Sequence, residues 1–139
     1  MHIRSSMVLA IGVACLAWII PGADALAQTL IGSPTLALRS GETTELTQIY
    51  WVSNCKSQLR GPPAVEVIDG PPGITVTVKE AMVVPRYQGC AKPVAGGKVI
   101  IAAKDIEDES YTRLTIRVTY KTRDGERQRS AVYNLSLFP

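Results

Sequence analysis

From Thr35 onward the chain alternates apolar and polar residues with the two-residue period of half-buried strands. Thr35–Arg39 sets Leu36 and Leu38 on one face. Ser40-Gly41 punctuates, and Thr43–Ser53 follows, rich in the Thr, Ile, Tyr, Trp and Val that favour extended backbone. Ala64–Asp69 places Val65 and Val67 around Glu66. Gly70-Pro71-Pro72-Gly73 is a turn, after which Ile74, Val76 and Val78 alternate with Thr75, Thr77 and Lys79. Gly97–Lys104 carries the short apolar run Val99-Ile100-Ile101.

The last two strands are the most clearly patterned. Asp124-Gly125 is a strong hairpin signal. A two-residue loop there predicts Arg123 opposite Glu126, Tyr120 opposite Arg129, Val118 opposite Ala131, Ile116 opposite Tyr133 and Leu114 opposite Leu135. In that register both apolar sets share one face, which a slip of one residue would destroy. Arg113, Arg117 and Lys121 then fall on the wet face, in a line rather than a pocket. No helical period of useful length follows the N-terminal apolar run. About seven strands joined by short turns predict a single two-sheet sandwich.

The N-terminus changes which residues belong to that domain. Arg4 precedes Met7–Ile20, fourteen residues without charge, and Pro21-Gly22 ends the run. Ala25-Leu26-Ala27 then offers small residues at the first and third positions before a cut. This is the three-part anatomy of a secretory signal, residues 1–27, with cleavage expected after Ala27. The apolar run is short of the about 20 residues that span a bilayer, so no transmembrane segment is expected in the mature protein. A lipoprotein anchored at Cys15 fits poorly, because Gly12 stands three residues before it.

Of the 139 residues, 46% are hydrophobic, 19% charged and 6% aromatic. That balance is too apolar and too lightly charged for a wholly disordered chain. The length is too small for a dehydrogenase, a kinase or a β/α barrel. Cleavage leaves 28–139, 112 residues with a net charge of +3, no histidine, and two cysteines. An even pair of cysteines in an exported chain predicts a disulfide, Cys55–Cys90. The protein is expected in the periplasm or outside the cell.

Pro34–Leu46, with its Ser40-Gly41-Glu42 turn, and Pro71-Pro72-Gly73-Ile74-Thr75 resemble segments of bacterial immunoglobulin-like sandwiches. The late strands across Gly97–Tyr120 come in the order that likeness implies. The expected fold is therefore all-β: one immunoglobulin-like β-sandwich over 28–139, with one disulfide, after a cleaved signal peptide. An antibody-type bridge joins two core strands around a tryptophan; Cys55 and Cys90 fall just outside strands, so a loop-pinning bridge is expected instead. The whole chain also resembles small exported bacterial proteins of unassigned function, which implies export and no particular activity.

Little in the mature chain suits catalysis. Nucleophilic hydrolysis normally uses a histidine beside the nucleophile, and Lys56-Ser57 is a poor Ser–Lys pair because adjacent residues rarely aim at one point. Asp105, Glu107, Asp108 and Glu109 cluster between two strands but lack the glycine and spacing of a calcium loop. Gly96-Gly97 opens a strand and is no phosphate loop. No enzyme activity, metal or cofactor is expected.

One constellation stands out. No acidic residue occurs from Leu46 to Ala64 or from Ala81 to Ala103. Those segments hold Lys56, Arg60, Arg86, Lys92 and Lys98, with Tyr87 among them, and a Cys55–Cys90 bridge would bring them together. Local charge of one sign steers partners of the other; the alternative is a solvated loop that aids solubility. The expectation is a non-enzymatic exported module whose basic, disulfide-linked loops contact an acidic protein or an anionic envelope polymer. The alternative is an assembly protein pairing through its final strand, Ala131–Phe138. Inhibition of a basic cell-wall hydrolase would meet charge repulsion, and export removes nucleic acid as a partner.

Overall fold

The computed structural model describes residues 33–86 and 89–139. The segment expected to be a signal peptide, residues 1–27, and Tyr87 lie outside the described residues. Nine strands follow one another: β1 (Thr35–Arg39), β2 (Thr43–Ile49), β3 (Val52–Ser53), β4 (Lys56–Ser57), β5 (Ala64–Asp69), β6 (Ile74–Val83), β7 (Val94–Ala103), β8 (Ser110–Thr122) and β9 (Gly125–Phe138). They form a four-stranded sheet β1-β9-β8-β5, a three-stranded sheet β2-β7-β6, and the small hairpin β3-β4. The seven strands of the two larger sheets are the seven that the alternation predicts.

The two sheets share one core. Leu38 of β1, Leu114 and Ile116 of β8, and Leu135 and Leu137 of β9 pack with Ile49 of β2 and Val99 and Ile101 of β7. Each such side chain removed from water contributes about 1.5–3 kcal/mol, and the alternation Leu114, Ile116, Val118, Tyr120 supplies four of them from one strand. Most pairs of sheet neighbours run antiparallel; β1 runs parallel to β9, with Thr35 beside Asn134 and Arg39 beside Phe138.

Two local departures from the sequence expectation have physical causes. The expected strand Thr43–Ser53 divides, because β2 leaves β7 after Ile49↔Gly97 and the chain turns into β3 and β4. Those strands have two residues each, too few to register as a period. Their turn puts both Asn54 (φ 51°) and Cys55 (φ 59°) in the left-handed region, the geometry of a two-residue hairpin loop that follows sheet twist.

The β8–β9 hairpin turns one residue earlier than predicted. Its loop is Arg123-Asp124, so Tyr120 faces Arg127, Val118 faces Arg129, Ile116 faces Ala131 and Leu114 faces Tyr133. Gly125 takes φ +102° at the end of the turn. Thr122 Oγ1 accepts from the Asp124 amide and donates to the Gly125 carbonyl. The register differs by two residues. An even shift keeps every side chain on its predicted face, and the core set is unchanged.

Candidate functional site

Three connections meet at one end of the domain. Cys55, at the β3–β4 turn, is bonded to buried Cys90 of the β6–β7 connection, with Cα atoms 5.5 Å apart. The segment after β4 is stitched to the β8–β9 hairpin: the Arg60 amide donates to the Lys121 carbonyl, and the Arg123 amide donates to the Gln58 carbonyl. The bridge therefore pins loops, as the position of the cysteines outside the predicted strands implied.

Lys56, Arg60, Arg86 and Lys92 are exposed at this end. Lys98 is not part of the group. It lies within β7, half-buried, with its Nζ 3.5 Å from Glu45 Oε2. The register that places Lys98 beside Gln48 of β2 brings Glu45 within reach.

The hairpin adds cations that lie outside the two acid-free segments. Lys121 stands near the end of β8, Arg123 in the hairpin loop, and Arg127 and Arg129 in the first half of β9. With the four above, this end holds eight cations against Asp124 and Glu126. The far end gathers the other sign. There the β1–β2, β5–β6 and β7–β8 connections meet, tied by the Gly41 amide on the Ala103 carbonyl and the Lys104 amide on the Gly73 carbonyl. They contribute Glu42, Asp69, Asp105, Glu107, Asp108 and Glu109 against Arg39 and Lys104. Among the described residues, no group of three or more His, Cys, Asp or Glu could hold a metal ion.

Beside the basic end is a groove of about 630 Å³. It is lined by the unbroken run Glu45–Tyr50 and by Val84, Arg86, Tyr120 and Arg129. Arg129 is on the core-facing side of β9, in step with Ala131 and Tyr133, but above the level where the core closes. Its guanidinium carbon lies 4.5 Å from the centre of the Trp51 ring. Trp51 in turn packs on Tyr120, with ring centres 5.2 Å apart and planes tilted by 52°. A guanidinium over an indole is attracted by the ring quadrupole, by about 0.5–1 kcal/mol where exposed.

The tyrosines of this cluster respond to the same packing. Burial raises the Tyr120 phenol above its ordinary value; the Arg129 charge opposes that rise, and Tyr133 and Tyr50 add to it. Burial also raises Tyr133, against a side-chain hydrogen bond with Thr47 that lowers it. The signal for Arg129 was present in the sequence, since it shares the parity of Ala131, Tyr133 and Leu135. A charged residue in that phase, beyond the last apolar one, marks a site where the core face opens to water.

No family model matches the chain, and no curated protein matches it. Among solved structures the chain is similar to the solution structure of Amebosin, at 13% identity and a TM-score of 0.38 over 74% of this chain and 87% of that one.

Proposed function

We propose that this protein is a non-enzymatic exported binding module of immunoglobulin-like fold, which uses its basic, disulfide-pinned end to contact an acidic protein or an anionic envelope polymer. The carrying observation is the convergence of Lys56, Arg60, Arg86 and Lys92 with the cations of the β8–β9 hairpin at one end. Neither salt bridge among the described residues engages any of these cations, so their charge is available to a partner. The fold reading is supported by strand order. With β3-β4 treated as an inserted hairpin, β2-β7-β6 and β5-β8-β9 correspond to the second, fifth and fourth, and the third, sixth and seventh strands of such a sandwich. Export over residues 1–27, with delivery to the periplasm or beyond, fits a protein that closes a disulfide. The rival reading, assembly through Ala131–Phe138, is disfavoured because β9 has β8 on one side and, over Asn134–Phe138, β1 on the other.

The test compares two double variants of equal net charge for retention on immobilised polyglutamate near physiological salt. Arg60→Glu/Lys92→Glu reverses charge at the basic end; Arg39→Glu/Arg113→Glu does so elsewhere. Retention lost only in the first pair supports the reading. Equal loss in both makes net charge the cause and overturns it.

A further inference from the structure

We infer that the outer edge of β2 takes up an extended acidic segment of a partner protein as an added strand, with Arg86 and Arg129 holding its carboxylates. The inference rests on the binding reading above and names the mode and the class of partner.

The edge itself is the first observation. β2 stands last in the order β2-β7-β6, and no described strand pairs with its other side. A strand in that position presents a row of backbone N–H and C=O groups. The groove is lined by six consecutive residues, Glu45 to Tyr50. Side chains of a strand alternate between faces, so an unbroken run means that the backbone edge, not one face, forms the wall. The β2–β7 register shifts between Glu45 and Thr47; an added strand would run above that bulge, along Thr47–Tyr50.

Charge chooses the occupant. Arg86, on the β6–β7 connection, and Arg129, in β9, both line the groove, and neither takes part in the ion pairs of the described residues. The carboxylate of the groove, Glu45, is offset by Lys98. A second copy docking edge to edge would bring each arginine against its equivalents, which like-charge repulsion opposes. An anionic polymer without amides would satisfy the arginines and leave the strand edge unused. A peptide chain with carboxylates at alternate positions satisfies both, because its backbone pairs with β2 while its acidic side chains project about 6.6 Å apart on one face.

The probe is the capped peptide Val-Glu-Val-Glu-Val-Glu, together with the same peptide N-methylated at alternate residues. Methylation keeps every charge and removes the donors a strand needs. Both are titrated into the disulfide-bonded protein, followed by amide hydrogen exchange and by chemical shifts. Exchange at alternate amides within Thr47–Tyr50 is expected to slow at least tenfold with the first peptide. The methylated peptide, and the Arg86→Glu and Arg129→Gln variants, are each expected to bind at least tenfold more weakly. Equal binding of the two peptides, or shifts confined to the loops around Cys55 and Cys90, would overturn strand addition and leave the basic-end reading standing. Failure of both peptides while polyglutamate is still retained would do the same. Failure of all three probes would remove both readings.

Discussion

Gly96 tests how tightly β7 packs against its sheet neighbours, β2 and β6. A Cβ built on Gly96 would lie 2.4 Å from the Ile49 carbonyl oxygen and 2.7 Å from Val83 Cγ2. The nearer atom is backbone, so no rotamer change relieves the contact, and the strands must part by about 1 Å to reach an ordinary separation. Overpacking of this kind costs about 1–3 kcal/mol. Against it stands the smaller freedom of alanine in the unfolded chain, which contributes about 0.4–1 kcal/mol. The overpacking cost is the larger, so Gly96→Ala is expected to destabilise by about 1–2 kcal/mol, the balance of those two effects. Gly61 supplies the opposite case, since nothing lies within 4 Å of its Cβ position and its φ is outside the left-handed region. There only the unfolded-state effect remains, and Gly61→Ala is expected to stabilise by about 0.4–1 kcal/mol. Equilibrium urea unfolding followed by tryptophan fluorescence separates the two. A Gly96→Ala protein within about 0.5 kcal/mol of the parent, or one more stable than Gly61→Ala, would refute the close approach.

Further expectations follow from the same contacts. Replacing both cysteines, Cys55→Ser with Cys90→Ser, releases a loop with 35 residues of separation and should lower the unfolding free energy by about 2–4 kcal/mol; a loss under about 1 kcal/mol in urea would show that the bridge does not restrict the unfolded chain. The raised phenols of Tyr120 and Tyr133 make stability alkali-sensitive. Their contribution is whole below about pH 10, where unfolded tyrosine stays neutral, and is lost as pH rises toward the folded values; an unfolding midpoint unchanged between pH 9 and pH 11 contradicts it. Lys98→Met should leave stability within about 0.5 kcal/mol in thermal unfolding, because the pair with Glu45 is over a third exposed on both sides. Arg129→Ala should change Trp51 emission and cost about 0.5–1 kcal/mol; an unaltered spectrum would mean that the guanidinium does not sit on the ring.

The strands were legible wherever apolar and polar residues alternate along the chain. Thr35–Arg39 and Ala64–Asp69 are read from the alternation with the same ends that the structure has. The core face of the last hairpin was legible too, although its register was not. Asp124-Gly125 admits a loop at either of two neighbouring positions, and the Thr122 side chain, which bonds both sides of the turn, decides between them. The disulfide followed from an even pair of cysteines in a chain expected to be exported. What escaped was anything dependent on which connections meet in space. Lys98 is close in sequence to the basic loops, yet pairing across β2 gives it to Glu45. Arg129 is far from Trp51 in sequence, yet β9 carries it over the indole. Strand spacing says which face a residue takes; only sheet order says whose neighbour it becomes.

The separation of charge between the two ends makes the domain an electric dipole. β8 alone runs thirteen residues from one pole to the other, about 40 Å at strand rise. Near physiological ionic strength, potentials fade over about 8 Å, so a diffusing neighbour senses one pole at a time. At about 0.01 M salt the screening distance grows to about 30 Å, and the poles act together. A torque then turns each approaching molecule before contact, and the favoured encounter between copies is positive pole to negative pole. That geometry does not close on itself; dilute buffer therefore favours weak open chains, which light scattering would detect as growth that reverses on adding salt.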